Sequence, residues 1–295
     1  MSDTQMKHAY LLMAHANFEQ LQTLLDLLDD ERNDIYLHID KKAKNVPDFN
    51  VKQAGLHLID SINVVWGGHS QIRCEMKLLE AAAKGHYRYY HLISGMDLPL
   101  KTQDEIHTFF REHDGTEYMY FDEEACRTRS FHDRVQYYYF FGNLGFNTRQ
   151  KIGHGLRLID RILVKVQKAL HICRKPVFPL YKGGQWFSIT DDLVQYVLSC
   201  KDDIRKQFQY TFLTDEVFLQ SVAVSSPMRG RIVNEDLRAI DWERGLPYTY
   251  RKEDVPMLLA SEKLWGRKFD QRVDAEAIEM IAAHFRKSAD QSYIT

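Results

Sequence analysis

The order of hydrophobic and polar residues predicts strands and helices in alternation over the first 120 residues. Five segments have the composition and the polar flanks of strands: residues 8–14, 34–40, 55–65, 89–94 and 117–121. Between them, apolar residues recur every three to four positions, which predicts helices that begin near Asn17, Ser70 and Thr102. Glu105, three residues after Thr102, predicts a capping box. Strands that alternate with helices favour an α/β fold with a mainly parallel sheet, covered by helices on both faces.

The pattern weakens from residue 126 to residue 182 and then resumes. Within this weak region, residues 155–171 have helical spacing and carry several basic side chains. Beyond it, the periodicity predicts one strand and then four helices, at residues 184–189, 191–199, 215–222, 253–261 and 274–287. Neither an internal repeat nor a linker rich in Pro, Gly or Ser divides the chain. We therefore expect one domain over residues 1–295, with 126–182 as an insertion or lid.

Composition and charge exclude several classes of protein. Of the 295 residues, 44% are hydrophobic and 27% are charged, so the chain is neither disordered nor of low complexity. The formal net charge of −2 gives no global basic field for nucleic acid. No apolar run approaches the roughly 18–20 residues of a membrane span, and the polar N-terminus does not resemble a signal peptide. Four widely spaced cysteines without a CxxC pair indicate reduced thiols and neither a disulfide scaffold nor a zinc site.

Polar and small residues follow the predicted strands at the edge where an open α/β sheet binds ligands. They include His15 after the first strand, Asp40 after the second, and a turn at residues 94–97. The chain has neither GxGxxG after its first strand nor GxxxxGK[ST], which argues against dinucleotide and P-loop chemistry. Asp40 at this edge can accept a hydrogen bond from a uracil imide or a ribose hydroxyl, or it can cap a turn.

Six motifs, taken in order, give the chain a resemblance to one enzyme family. They are HAYLLMAH with the later LHIDKK, VVWGGHS, YYHLISGMDLPLKT, GGQWFSIT, TDEVF and WGRKFD, and they extend from residue 8 to about residue 270. The chain resembles the core-2 branching enzymes, the β-1,6-N-acetylglucosaminyltransferases and peptide O-xylosyltransferases of glycosyltransferase family 14. The resemblance implies a GT-A-like fold, a UDP-sugar donor and inversion at the anomeric carbon.

The resemblance also implies which residues bind the donor. His15 matches a position beside the nucleotide, and Asp40 matches an acid that contacts the uridine. Asp97 lies in the stretch that shapes the donor site. Lys268 of the RKFD motif matches a lysine that binds the diphosphate, and Arg244 is the nearest candidate for a second cation.

On the acceptor side, the resemblance identifies Glu216 of the TDE motif as the catalytic base, with Thr214 in place of the family's proline. Trp242 matches an acceptor-contacting tryptophan, and Glu123 and Arg134 align more loosely with acceptor-contacting residues. Aromatic rings pack on the apolar face of a sugar, and Trp242 is the favoured stacking residue. The other stacking candidates are Trp186 and the tyrosines at 137–139.

Inversion requires one base, because a single carboxylate can take the acceptor's proton as the new bond forms. We expect Asp215 and Glu216 to lie on a helix and to point about 100° apart, so that only one of them faces the acceptor. The alternative is that both acids are merely helix N-terminal charges that the dipole favours.

The charge on the departing diphosphate must also be neutralised, and many GT-A enzymes use a divalent metal held by Asp-x-Asp. No two aspartates in this chain are separated by one residue. Lys268, Arg267 and Arg244 can supply the charge, and such a group is worth roughly 3–4 kcal/mol. We therefore expect no metal and no cofactor besides the UDP-sugar as co-substrate. The alternative is a metal held by Asp122 and Glu124.

These residues predict an inverting, metal-independent glycosyltransferase that moves a sugar from a UDP-sugar to a glycan hydroxyl. N-acetylglucosamine is the favoured sugar, and xylose or another hexose is the alternative. We expect a bacterial cytoplasmic enzyme that acts on a lipid-linked or surface-polysaccharide precursor, with no nucleic-acid partner. The basic helix at 155–171 can touch an anionic membrane surface or form a solvated face. A non-catalytic glycan-binding module is the alternative from another class, although binding alone does not require Glu216.

Overall fold

Ten strands form two sheets in the computed structural model, which describes residues 7–141 and 151–292. In chain order, these strands are β1 (His8–Ala14), β2 (Asn33–Ile39), β3 (Gly55–Ile59), β4 (Tyr89–Ser94), β5 (Asp97–Pro99), β6 (Glu117–Phe121), β7 (Gly183–Thr190), β8 (Ile232–Asn234), β9 (Arg238–Ile240) and β10 (Trp265–Arg267). The central sheet has the order β3-β2-β1-β4-β7-β6-β8, and the small sheet has the order β5-β10-β9.

Parallel pairing joins one half of the central sheet. Strands β3, β2, β1 and β4 are parallel to one another, whereas β7 is antiparallel to both of its neighbours, β4 and β6. Strand β8 is parallel to β6. Met13 of β1 lies opposite His38 of β2 and Ser94 of β4, so these three strands end at one edge of the sheet. This topology confirms the mainly parallel, GT-A-like α/β fold that the sequence predicted.

Eleven α-helices are present in the described residues, and most of them cover the central sheet. They are α1 (Phe18–Leu27), α2 (His69–Ala82), α3 (Gln103–Glu112), α4 (Glu123–Cys126), α5 (Arg129–Gln136), α6 (Lys151–Ala169), α7 (Asp191–Ser199), α8 (Lys201–Phe208), α9 (Phe218–Val224), α10 (Val255–Ala260) and α11 (Ala275–Ser292). None of these helices combines the length and the apolar composition that a membrane crossing requires.

Two apolar clusters lie on the two faces of the central sheet, because successive side chains of a strand point to opposite faces. Ala9 and Leu11 of β1 belong to the cluster that includes residues of α2, α7 and α9. Tyr10 and Leu12 belong to the cluster that includes residues of α1, α3 and α11. All four of these β1 side chains are fully buried. Helices therefore cover both faces, as the alternation of elements predicted.

Three buried histidines lie together near the N-terminal end of β1. His8 Nδ1 and His91 Nε2 are 3.1 Å apart, and the rings of His8 and His107 stack with their centroids 4.0 Å apart. His107 Nε2 also pairs with Asn33 Oδ1 at 2.9 Å. Burial lowers the pKa of all three imidazoles, and it lowers the pKa of His107 to about 4. The three rings are therefore uncharged in the folded protein near neutral pH.

The predicted helix cap is present at α3 but absent at α1. Thr102 Oγ1 accepts a hydrogen bond from the Glu105 amide, and the Glu105 carboxylate accepts from the Thr102 amide, which confirms the capping box of α3. Asn17 precedes α1, but its side chain does not cap the helix. Its backbone has a φ of 57°, and its side-chain amide donates to Asp270 Oδ1 at 3.0 Å. A long-range contact therefore replaces the predicted cap.

The helix predicted at residues 215–222 is wrong at its start, since α9 begins at Phe218. Asp215 and Glu216 lie in the turn before it, where the amides of Val217 and Phe218 both donate to the Thr214 carbonyl. The 100° separation expected for neighbours on a helix does not apply to this turn. The two acids instead differ in burial, as the site shows.

Candidate active site

Asp40 follows β2 at the edge where β1 and β4 also end, and it is buried. Its Oδ1 accepts from the Lys42 amide at 2.9 Å, and its Oδ2 accepts from the Val64 amide at 3.3 Å. Lys42 Nζ lies 3.3 Å from the same Oδ2. The amide of Asp40 donates to the Ala14 carbonyl at 2.9 Å, which joins the ends of β2 and β1. Asp40 therefore closes the turn after its strand and places a carboxylate at the sheet edge.

His15 follows β1 and is exposed at the same edge. Desolvation lowers the pKa of its imidazole, and the Asp40 carboxylate opposes this shift. The positive charges of Arg272, Lys42 and Arg267 lower the pKa further. The structure thus brings His15 and Asp40 together beside a group of cations, which is the setting an anionic ligand requires.

Arg267 is held beside the end of β4 by the small sheet, in which it lies opposite Asp97. Its guanidinium donates to Asp97 Oδ1 at 2.7 Å and to Ser94 Oγ at 2.6 Å. Asp97 is fully buried and also accepts from the Ser94 amide at 2.8 Å, so it anchors Arg267. Trp186 is buried, and the centroid of its ring lies 4.2 Å from the Arg267 guanidinium. Trp186, one of the stacking candidates, is thus buried and packs against Arg267.

Lys268 follows Arg267 and is half-buried. Its carbonyl accepts from the Tyr250 amide at 2.9 Å, and its amide donates to the Tyr248 carbonyl at 3.4 Å. Within the described residues, no hydrogen bond or ion pair engages its Nζ. The backbone of Lys268 is thus fixed while its ammonium group is available to an anion.

Arg244, the second predicted diphosphate cation, has a different setting. Its guanidinium pairs with Asp241 and, at 2.8 Å, with Asp254 Oδ1. It also lies 4.1 Å from the centroid of the Tyr248 ring. Two carboxylates therefore already balance the charge of Arg244, which distinguishes it from Lys268.

Glu216 is joined to the start of β7, because its carbonyl accepts from the Gly183 amide at 2.8 Å. Lys182 Nζ lies 3.9 Å from Glu216 Oε2 and 3.1 Å from Asp122 Oδ2. Desolvation raises the pKa of Glu216, the charges of Lys182 and Arg134 lower it, and Asp122 raises it. The Glu216 side chain retains 42% of its exposure. A carboxylate that is accessible and more basic than usual is suited to accept a proton.

Asp215 is buried, in contrast to Glu216. Burial and the Glu216 charge raise the pKa of Asp215 to about 7. Glu75 of α2 is fully buried, and its Oε1 accepts from Gln185 Nε2 at 2.8 Å. Burial raises the pKa of Glu75 well above its usual value, the Gln185 hydrogen bond lowers it, and Asp215 adds to the rise. Asp215 and Glu75 are thus both buried acids, and Glu216 is the acid that a ligand can reach.

The start of β7 connects the two ends of the site. Gly183 holds the backbone of Glu216, and Trp186 supports Arg267 three residues further along the strand. Three strand residues span roughly 10 Å at 3.3 Å each. Glycine is required at 183, because a Cβ there would lie 1.7 Å from the Tyr120 carbonyl oxygen.

The residues predicted to contact the acceptor occupy two places. The positive charge of Arg134, on α5, lowers the pKa of Glu216. Glu123 is exposed at the start of α4 and follows Asp122, which pairs with Lys182. Trp242 is 60% exposed in the loop after β9. No hydrogen bond, ion pair or ring contact within residues 7–141 and 151–292 joins Trp242 to Glu216. Of these three residues, Arg134 is the one whose charge affects the Glu216 carboxylate.

The tyrosines at 137–139 pack beside α6. Lys168 Nζ lies 5.1 Å from the centroid of the Tyr137 ring, and the Tyr138 backbone exchanges hydrogen bonds with the Gln167 amide group. Tyr139 stacks with Phe212 at a centroid distance of 5.9 Å. The Tyr137 ring and the Tyr138 backbone therefore contact α6, whereas the Tyr139 ring packs on Phe212.

Sequence reasoning missed Lys182, Glu75 and Gln185. Glu75 had a signal, because it falls on the apolar face of its helix with Ile72 and Leu79, where a carboxylate is unusual. Lys182 had none, since a single lysine before a strand is a common surface residue. Its role depends on a fold that brings it to two acids from distant segments.

No group of three or more His, Cys, Asp or Glu side chains in the described part of the chain is arranged to hold a metal. Asp122, the candidate ligand with Glu124, instead accepts from the Ala125 amide at 2.9 Å and pairs with Lys182. The Asp122 carboxylate, one of the two candidate metal ligands, thus already caps α4 and pairs with the Lys182 ammonium group.

A mainly parallel sheet with helices on both faces and polar side chains at its carboxyl edge is the architecture of a GT-A-like α/β fold. A family model described as Core-2/I-Branching enzyme matches residues 8–262, and the chain belongs to this family.

The chain is also similar to proteins that are named xylosyltransferases. The chain is 24% identical to xylosyltransferase 2 of Rattus norvegicus and 23% identical to xylosyltransferase 2 of Homo sapiens, over 94% of this chain and 33% of each relative. It is 22% identical to xylosyltransferase 1 of Rattus norvegicus, over 94% of this chain and 35% of that protein. The chain thus spans about a third of the length of these relatives. The chain therefore belongs to the Core-2/I-Branching enzyme family and is similar to proteins named xylosyltransferases.

Proposed function

We propose that this protein is a glycosyltransferase that uses a UDP-sugar, inverts the anomeric centre and employs Glu216 as its general base. The setting of Glu216 carries the proposal. This carboxylate is accessible, its pKa is raised by desolvation, and it lies beside Lys182 at one end of the sheet edge. The neighbouring Asp215 is buried and cannot take the same role.

In the proposed reaction, a hydroxyl oxygen of the acceptor attacks the anomeric carbon from the face opposite the diphosphate. The new bond from carbon to oxygen forms as the bond to the phosphate oxygen breaks, and UDP leaves with that electron pair. Glu216 takes the proton of the attacking hydroxyl. Lys182 stabilises the ionised form of Glu216 before the transfer, because it lies 3.9 Å from Oε2. General base catalysis of this kind contributes about a hundred- to ten-thousandfold.

Lys268 and Arg267 are proposed to neutralise the departing diphosphate. Lys268 has an ammonium group with no partner among the described residues, and Arg267 is rigidly held by Asp97 and Ser94. Preorganised charges of this kind stabilise a transition state without reorganisation. His15 and Asp40 are proposed to contact the nucleotide, and Arg244 to assist Lys268. A metal-dependent reaction remains the alternative, and a chelator distinguishes the two.

The donor sugar is proposed to be N-acetylglucosamine, with xylose as the alternative. The alternative gains support from the names of the relatives, which are xylosyltransferases. The acceptor is proposed to be a glycan hydroxyl, held by Trp242, Glu123 and Arg134. The exposed ring of Trp242 supports this role, since sugars stack on accessible aromatic faces. We also propose that the protein acts in the cytoplasm on a lipid-linked or surface-polysaccharide precursor.

A donor screen followed by a transfer assay tests the proposal. UDP, UDP-N-acetylglucosamine, UDP-xylose and UDP-glucose are compared by thermal shift, and a ligand at 100 times its dissociation constant is expected to stabilise by about 2.7 kcal/mol. The stabilising UDP-sugar is then incubated with a panel of glycans in excess chelator, and the anomeric configuration of the product is determined by NMR. Transfer with inversion is expected. A retained configuration, or activity that disappears with the chelator, contradicts the proposal.

A further inference from the structure

The outer face of α6 exposes a strip of large apolar side chains that no described residue covers. The strip continues into the segment after the helix and comprises Leu158, Ile159, Ile162, Val166, Leu170 and Ile172. At 100° per residue, Leu158, Ile162 and Val166 form one row along the helix. Ile162 and Val166 are 51% and 46% exposed. A contiguous exposed patch of this kind marks an interaction surface more often than scattered apolar residues do.

A row of basic residues runs beside this apolar strip. Arg161 and Lys165 are both exposed one position before Ile162 and Val166, and no ion pair within the described residues engages either of them. Residues 151–182 contain eight Lys or Arg residues and one acid, Asp160, although the whole chain has a net charge of −2. The single acid is buried and accepts from the amide of Phe140 at 3.0 Å. The exposed face of α6 is therefore apolar and basic, without a negative charge.

The inner face of α6 is fixed to the fold. Asp160, Val164 and Gln167 are buried on this face, and Gln167 exchanges two hydrogen bonds with the Tyr138 backbone. Lys168 pairs with Asp133 of α5. The helix is thus anchored on one side and amphipathic on the other, so the exposed strip does not result from a loosely attached helix.

We propose that α6 binds the surface of a membrane that contains anionic lipids, with the apolar strip in the headgroup region and Arg161 and Lys165 on lipid phosphates. A helix with an apolar face and basic residues beside it lies in the plane of such an interface. The unpaired positive charge selects an anionic bilayer, because a neutral apolar partner would leave both cations without a counterion.

The position of α6 also relates the membrane to the reaction, and this step rests on the proposed function. α6 packs on α5 through Lys168 and Asp133, and α5 carries Arg134, whose charge acts on Glu216. A membrane on the outer face of α6 therefore lies on the acceptor side of the molecule. An acceptor attached to a lipid would reach Glu216 from this side, whereas the soluble UDP-sugar reaches the opposite end of the sheet edge.

Cosedimentation with vesicles tests the membrane proposal without any donor or acceptor. The wild-type protein is mixed with vesicles of phosphatidylglycerol and phosphatidylcholine in equal parts, and with vesicles of phosphatidylcholine alone. Partitioning is expected to be about tenfold or more stronger on the anionic vesicles, since each basic residue near such a surface contributes about fivefold. The double variants I162D/V166D and R161E/K165E are each expected to lose about tenfold or more.

Two matched controls introduce the same kinds of substitution at exposed residues outside α6. M257D changes a helical residue that is 53% exposed on α10, and K201E/R205E reverses two exposed charges on α8. Both controls are expected to partition within about twofold of the wild type. UDP affinity, measured by calorimetry, is expected to be the same in all variants, so a failure of the proposed function leaves this test intact.

Two results would overturn the membrane proposal. One is equal partitioning of the wild type on anionic and neutral vesicles, or α6 variants that bind like the wild type. The other is a dimer in light scattering that I162D/V166D abolishes without vesicles, since the strip would then be the interface between two copies of this chain. Circular dichroism of each variant establishes that the fold is retained.

Discussion

Lys182 Nζ lies 3.9 Å from Glu216 Oε2 and 3.1 Å from Asp122 Oδ2. The ammonium group favours the ionised form of Glu216, while desolvation and Asp122 favour the protonated form. The net result is a pKa raised above the ordinary value for glutamate. The balance between these effects determines the pH at which Glu216 can act as a base.

Replacing Lys182 with methionine is therefore expected to shift the acid limb of the pH profile. Lys182 lowers the pKa of Glu216, so its removal raises that pKa further and moves the rise of kcat to higher pH. K182M should thus lose more activity on the acid side of the profile than on its plateau. K201M, which removes an exposed lysine near Glu80, is the control and should keep the wild-type profile. An unchanged acid limb in K182M would show that Glu216 is not the titrating base.

Lys268→Ala is expected to weaken UDP binding and to lower turnover by about a hundred- to thousandfold, because it removes a preorganised charge from the leaving group. Arg244→Ala should cost less, since Asp241 and Asp254 already balance the guanidinium. Lys252→Ala removes an exposed lysine that pairs with Glu276 and is the matched control. Calorimetry with UDP and the transfer assay measure both effects. Unchanged UDP affinity in Lys268→Ala is the result that excludes the assignment.

Asp40→Asn is expected to weaken UDP and UDP-sugar by the same factor. Asp40 lies at the nucleotide end of the proposed site, so it should not distinguish UDP with and without a sugar. Asparagine retains an oxygen for the Lys42 amide, which limits the loss of stability at this turn. Calorimetry with both ligands measures the ratio. A loss confined to the UDP-sugar would place Asp40 beside the transferred group.

The buried histidines predict acid destabilisation. Burial holds the pKa of His107 at about 4, below the value of about 6.5 in an unfolded chain. Its contribution to the free energy of unfolding is therefore complete above pH 6.5 and disappears as the pH falls to 4, a loss of about 3 kcal/mol. Urea unfolding across this range measures it. H107Q should flatten the dependence, whereas H113Q, at an exposed histidine, should leave the wild-type slope.

The fold could be predicted from the sequence where local patterns carry the information. Strands β1, β4 and β6 have the bounds that their apolar runs predicted, and the capping box of Thr102 and Glu105 is present. The small sheet was missed, because its strands have three residues each and depend on pairing between distant segments.

For the site as well, the sequence predicted residues with local signals but not the contacts between distant segments. Strand ends placed His15 and Asp40 at the sheet edge, and the TDE motif identified Glu216 as the candidate base, since these signals are local. The partners that set their chemistry, such as Lys182, come from segments that only the folded chain brings together.

Glu216→Gln tests the central claim most directly, because glutamine keeps the size of the side chain but cannot take a proton at neutral pH. Turnover is expected to fall by about a hundred- to ten-thousandfold, with UDP-sugar affinity and melting temperature unchanged. Asp215→Asn is the matched control, and it should lower the melting temperature more and turnover less, since Asp215 is buried. A Glu216→Gln enzyme within tenfold of wild-type turnover, or an inactive but fully stable Asp215→Asn enzyme, would contradict the assignment of Glu216 as the base.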